Sequence, residues 1–157
     1  MGKSFKKVGD WDKLRYLSVS LRQGLMTASN ISVKRFGLIA EKIAKQHISS
    51  QDLPWAPLSQ EYKAGKKKHG FSEKILVRTS TYFQSITAWS EGLSGYAGVK
   101  KGVREPDGEE VADIAKIHEY GSSKHPARPL WQPTFEEAFN KWKASETPLH
   151  IYKRKNL

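Results

Sequence analysis

Cysteine is absent from this chain, which removes disulfides, thiolate metal sites and cysteine nucleophiles together and fits folding in a reducing cytosol. Long hydrophobic runs are missing too. No apolar stretch approaches the roughly 18 residues of a membrane span, and the charged start Met1 to Lys7 leads into no apolar segment. Neither secretion nor a membrane partner is therefore expected. Acidic residues are the scarcer charge: 16 Asp and Glu stand against 27 Lys and Arg, a formal net charge of +11. That balance points toward an anionic partner, whether nucleic acid, lipid headgroup or acidic protein face, and does not choose among them.

What is present is enough to fold. The 157 residues are 38% hydrophobic with five Trp, six Tyr and six Phe, which suits one domain with its own core and excludes a disordered chain. The basic residues cluster at Lys3, Lys6 and Lys7, at Lys63 and Lys66 to Lys68, at Lys100, Lys101 and Arg104, and at Lys153 to Lys155. Each cluster falls in a terminus or an expected loop, where a solvated fringe is the plainer explanation.

From Asp10 to about Ser50, apolar residues recur at three- and four-residue steps: Trp11, Leu14, Leu17, Leu21 and Leu25, then Phe36, Ile39, Ala40, Ile43 and Ala44. This predicts one long helix or two, capped by Asp10, with a bend near Gly24 to Asn30 as the alternative. About 40 helical residues span roughly 60 Å, longer than a domain of this size covers with its own core. Part of the stripe is expected to need a neighbouring subunit.

Residues 51–71 break the period and read as an extended arm around Pro54, Trp55 and Pro57, followed by a lysine-rich loop between Gly65 and Gly70. Ile75 to Val77 read as a short strand and Thr79 to Ile86 as a short helix with Tyr82, Phe83 and Ile86 inward. A hairpin with its turn between Gly92 and Gly95 follows, and a second turn falls at Pro106-Asp107-Gly108. Val111 to His118 have helical spacing, ended by Gly121. A further helix is expected to open at Pro133 with Phe135, Ala138, Phe139 and Trp142 inward and to end at Pro148. Residues 148–157 then form an edge strand or a flexible basic tail, as residues 1–9 form a basic arm. The fold class is α+β in a single domain, with a small antiparallel sheet.

Chemistry is sparse. His118 beside Glu119 lacks the second histidine one turn away that a zinc-hydrolase helix needs, and the other histidines are scattered. The acidic run Glu105 to Asp113 has turn character and no calcium-loop spacing. No serine stands in a nucleophile elbow. These features point away from an enzyme, and no cofactor or metal is expected. The Lys63 to Lys68 patch with Trp55, Tyr62 and Phe71 nearby fits phosphate-driven, sequence-independent nucleic-acid binding, the alternative function.

Three blocks in order carry a resemblance. They are Trp55-Ala56-Pro57-Leu58-Ser59 with Tyr62 and Lys63; Ile75-Leu76-Val77-Arg78-Thr79-Ser80-Thr81-Tyr82-Phe83-Gln84-Ser85-Ile86; and Ile114-Ala115-Lys116-Ile117-His118-Glu119-Tyr120-Gly121 with Pro126-Ala127-Arg128-Pro129-Leu130. Together they resemble the virion morphogenesis, or tail-completion, family of tailed bacteriophages that includes proteins of phages HK97 and Mu. The chain departs from the pattern at Ser80, where that family commonly has Gly, and at Ile114, where Tyr is common. Gly would permit positive φ at position 80, which Ser resists.

The resemblance implies a noncatalytic neck subunit in the virion, assembled in the host cytoplasm. It implies a homo-oligomeric ring, most often hexameric, at the head-proximal end of the tail, with neighbouring neck and tail proteins as partners and genomic DNA in the channel as a transient one. The matched residues Tyr82, Ile86, His118, Tyr120, Gly121, Pro126 and Pro129 are then structural. Trp55, Leu58, Lys66, Lys67, Lys68, Lys100, Lys101, Arg104 and Arg128 are the candidate interface residues, with packing on their own sheet the equal alternative for Trp55 and Leu58. For Arg128 the expected bond is bidentate, to a carboxylate or to helix-end carbonyls, within the subunit or across subunits.

Overall fold

A computed structural model describes residues 9–156, so the basic arm expected before Gly9 lies outside the described residues. The order is helix α1 (Trp11–Ser50), α2 (Gln60–Lys68), α3 (Thr81–Ser85), strands β1 (Ile86–Glu91) and β2 (Ser94–Val99), then helices α4 (Val111–Tyr120), α5 (Trp131–Ser145) and α6 (Pro148–Asn156). The fold is α+β, with a long amino-terminal helix and a two-stranded antiparallel sheet.

Helix α1 runs unbroken for 40 residues, with no interruption near Asn30. The Asp10 carboxylate accepts the Lys13 N–H at 3.0 Å and caps it. Only the carboxyl-terminal part is covered: Ala28, Ser32, Ala40, Ile43, Ala44 and Ile48 are buried. The hairpin, α5 and α6 all pack against α1. Gly37 and Gly95 let sheet and helix approach, since a Cβ on Gly95 would sit 2.7 Å from the Val33 carbonyl oxygen. Strands β1 and β2 pair Glu91 with Ser94 across a two-residue turn at Gly92 and Leu93, with Gly92 at φ 56°.

Three segments differ from the sequence-based expectation. The lysine tract is helical: Ser59 caps α2 by accepting the Tyr62 N–H at 3.2 Å, and the cations Lys66, Lys67 and Lys68 sit in its last turn, facing the negative end of the helix dipole. Ile75 to Val77 form a turn in place of a strand, with buried Leu76 at φ 61°. The carbonyls of Lys74 and Val77 are bonded by the Lys66 ammonium, at 2.7 Å each, and Gln51 holds both the N–H and the carbonyl of Ile75. The third is the tail, which is helical, because Pro148 ends one helix by opening the next, where a missing N–H costs nothing.

The α5 to α6 corner is fixed by Glu146, whose carboxylate meets Arg35 at 2.5 Å and Arg154 at 2.8 Å, while the Ser32 hydroxyl donates to its carbonyl and itself accepts the Trp142 indole N–H. Those hydrogen bonds, Arg154 first and Arg35 next, hold the Glu146 carboxyl below its ordinary pKa. Helix α5 begins at Trp131, ahead of Pro133; Thr134 is buried in it, and Phe139, expected inward, is 49% exposed.

Ser80 takes φ 69°, the left-handed conformation that Gly favours, and its side chain makes no capping bond to α3. Ser80→Gly is expected to stabilise the fold by about 1 kcal/mol. A higher denaturation midpoint checks this, and an unchanged or lower one contradicts it.

Candidate functional site

The three motif blocks, distant in sequence, meet on one side of the core. The extended arm after α1 carries Trp55, which is buried among Ile48, Ile86 and Leu130 and donates its indole N–H to the Pro129 carbonyl at 2.8 Å. Arg128 is buried as well. Its Nε donates to the Ala56 carbonyl at 2.8 Å and one Nη to the Pro57 carbonyl at 3.3 Å. The fork expected of Arg128 is therefore made within the subunit, to carbonyls of the arm, and to neither a carboxylate nor a helix end. A single guanidinium satisfies two acceptors of a strandless segment that has no ladder to bond.

Helix α4 supplies the other wall. Gly121 ends it at φ 75°, with its N–H on the Ile117 carbonyl at 2.7 Å, and a Cβ there would stand 2.9 Å from the Ala127 nitrogen. The chain then returns so that the Arg128 N–H donates to the His118 carbonyl at 2.7 Å. Glu119, one residue on, accepts the N–H groups of Leu130, Trp131 and Gln132 at 2.8, 3.0 and 3.3 Å, capping α5 from another helix. No capping residue of α5 itself does this.

Between arm, α2, the turn at Ile75 to Val77 and α4 lies a cavity of about 530 Å³. Leu58, Tyr82 and Ile114 line it, Lys66, His118 and Arg128 reach it, and Pro126 closes one side. Tyr82 packs with Ile86 in the core, and burial, with the Glu119 charge adding to it, raises its phenol above the ordinary range. The His118 ring is 6.2 Å from that of Tyr82, and its Nδ1 is buried without a hydrogen-bond partner. Burial first, then the nearby Arg128 and His125 charges, pushes its pKa down to about 4. The imidazole is neutral at pH 7. Lys66 is also shifted down, by burial and then by the Arg78 charge.

Of the residues expected at an interface, then, Trp55, Lys66 and Arg128 are buried in their own subunit. Leu58 is half-buried, and Lys67, Lys68, Lys100, Lys101 and Arg104 are exposed. The last three lie elsewhere, on the segment after β2: Lys100 stands over the Trp89 ring at 5.3 Å and Arg104 donates to the Gly108 carbonyl at 2.7 Å. Tyr120 points outward at 78% exposure, apart from the other motif residues. Sequence reasoning missed the capping role of Glu119 and the loop-holding roles of Lys66 and Gln51. For Glu119, its place beside His118 in the third block was the one available signal.

Among the described residues no three His, Asp or Glu side chains gather as metal ligands, and no helix is long and apolar enough to cross a membrane. The geometry binds backbone to backbone: it welds arm, α4 and α5 into one unit. No family model, curated protein or solved structure matches the chain, so the likeness to phage tail-completion proteins stands on the quoted residues alone.

Proposed function

We propose that this protein is a noncatalytic structural subunit of the phage head-tail junction, one copy of a neck or tail-completion ring. One observation carries this reading. Arg128 and Glu119 of the resembling motifs are engaged in holding backbone, while eight of the sixteen exposed large apolar side chains among the described residues fall on residues 11–26 of α1. Trp11, Leu14, Leu17 and Leu21 are about half exposed along one face of that segment. A chain that must dock on copies of itself needs such a surface, and a soluble enzyme does not.

The exposed cations of α2 suit contact with an adjoining acidic ring or with channel DNA. Lys66 does not belong with them, because its ammonium is already engaged by two carbonyls. Docking is tested with Lys67 and Lys68 changed to Ser and Lys66 left in place.

In the phage that encodes this chain, disruption of its gene should leave filled heads and finished tails unjoined, with joining restored when the protein is supplied. Normal joined particles without it would refute the proposal. The nucleic-acid-binding alternative gains if the monomer binds duplex DNA tightly with a steep dependence on salt.

A further inference from the structure

The cavity between the arm, α2 and α4 is lined by two buried cations that lack a counter-charge. Lys66 and Arg128 both reach it and are only 5% and 6% exposed. Every bond they make is to a carbonyl oxygen, and neither pairs with a carboxylate among the described residues. A buried charge is costly unless it is paired, so what this arrangement lacks is an anion. Burial lowers the pKa of Lys66, and the Arg128 charge adds to the burial that lowers that of His118.

Guanidinium geometry says where an anion fits. Nε and one Nη of Arg128 spend one edge of the plane on the Ala56 and Pro57 carbonyls, which leaves the edge between the two terminal nitrogens without an acceptor among the described residues. Such an edge grips a carboxylate through two parallel hydrogen bonds. His118 adds a buried Nδ1 that has no partner. Much of the remaining wall is apolar, from Leu58, Tyr82, Ile114 and Ile117, and about 530 Å³ is the size of a site for a small organic molecule. Two acids also line the cavity: Glu105 accepts the Thr79 hydroxyl, and Glu109 is exposed. Their charges disfavour a polyanion such as nucleic acid.

We propose that this cavity binds a small monocarboxylate with an alkyl or aryl body, its carboxylate on the free edge of Arg128 and its body against Leu58, Ile114 and Ile117. Lys66 adds positive charge and one N–H beyond the two that its carbonyls take. The site goes beyond the neck-subunit reading and does not depend on it.

The test follows the methyl signals of Ile114 and Ile117 and the ring signals of His118 by NMR while octanoate or phenylbutyrate is added to the full chain. At least one of the two acids should move these signals saturably. Octanol and phenylbutanol, which keep the body and lose the charge, should bind at least about tenfold more weakly, and so should inorganic phosphate, which has charge and no body. Ile117 is 42% exposed, so Ile117→Glu and Ile117→Lys should both fold, as circular dichroism would show. The Glu variant should bind the acid at least about tenfold more weakly than the Lys variant, because it sets a like charge beside the carboxylate. Failure of both acids to bind at millimolar concentration, signals that move only on residues 11–26, alcohols or phosphate that bind as well as the acids, or equal affinities of the two Ile117 variants would overturn the inference.

Discussion

Arg128→Ala should lower the stability of the fold by about 3 kcal/mol, because it removes two bonds from a charged donor and leaves the Ala56 and Pro57 carbonyls without that partner beside an emptied site. The effect should begin locally. With the guanidinium gone, the Trp55 indole bond to Pro129 remains as the hydrogen-bond tie, among the described residues, between the arm and the α4 to α5 connection, so limited proteolysis should cut between Leu53 and Leu58 before global unfolding. Arg128→Lys retains the charge but cannot fork to two carbonyls, and should fall between wild type and Ala. Denaturation midpoints for the three proteins check the order. Equal midpoints, with the arm as protease-resistant as before, would show that Arg128 does not hold it.

Acid should weaken the fold through His118. The folded pKa is about 4 and the ordinary value is 6.5, so between those limits the unfolded chain binds a proton that the folded chain refuses. Stability is therefore fully present above about pH 6.5, is lost progressively as pH falls toward 4, and levels off below, the whole step amounting to about 3 kcal/mol. The paired carboxylates Asp52 and Glu146, both held below their ordinary pKa, lose their contributions at lower pH still. Denaturant midpoints of wild type and His118→Gln between pH 7 and pH 4 measure the effect. The wild-type slope should exceed that of the variant, and parallel slopes would place the acid sensitivity elsewhere.

Local signals that survive tertiary packing were legible in the sequence. The periodicity of α1, the Asp10 cap, the glycine-flanked hairpin and the Gly121 stop each depend on residues close in the chain, and each forms where expected. The length of α1 relative to a small core also made a surplus apolar stripe readable before any coordinates. What misled were residues whose environment is set from afar. A run of lysines reads as a wet loop unless one knows that Lys66 turns inward to hold the carbonyls of Lys74 and Val77. Ile75 to Val77 look like a strand because they are apolar and β-branched in part, yet side chains, not a neighbouring strand, take their backbone groups. Pro148 reads as a stop in the sequence, although a proline also suits the first position of a helix, as it does at the start of α6.

The site was legible in its membership and not in its bonds. Trp55, Tyr82, His118 and Arg128 meet, and of the two settings the sequence leaves open for Trp55 and Arg128, a partner surface and the subunit's own fold, both take the second. Arginine and tryptophan serve buried backbone and partner surfaces with the same chemistry, so sequence alone could not separate the two. On the proposed reading this is a division of labour: Arg128 and Glu119 hold the arm and α5 within the subunit, and the exposed apolar side chains of residues 11–26 are what the proposal assigns to contact with other copies.

Imaging of purified phage particles with a subunit-specific label tests the central claim most directly. A symmetric set of copies at the junction between head and tail is the predicted result, and mature particles that contain no copy of this chain would contradict it.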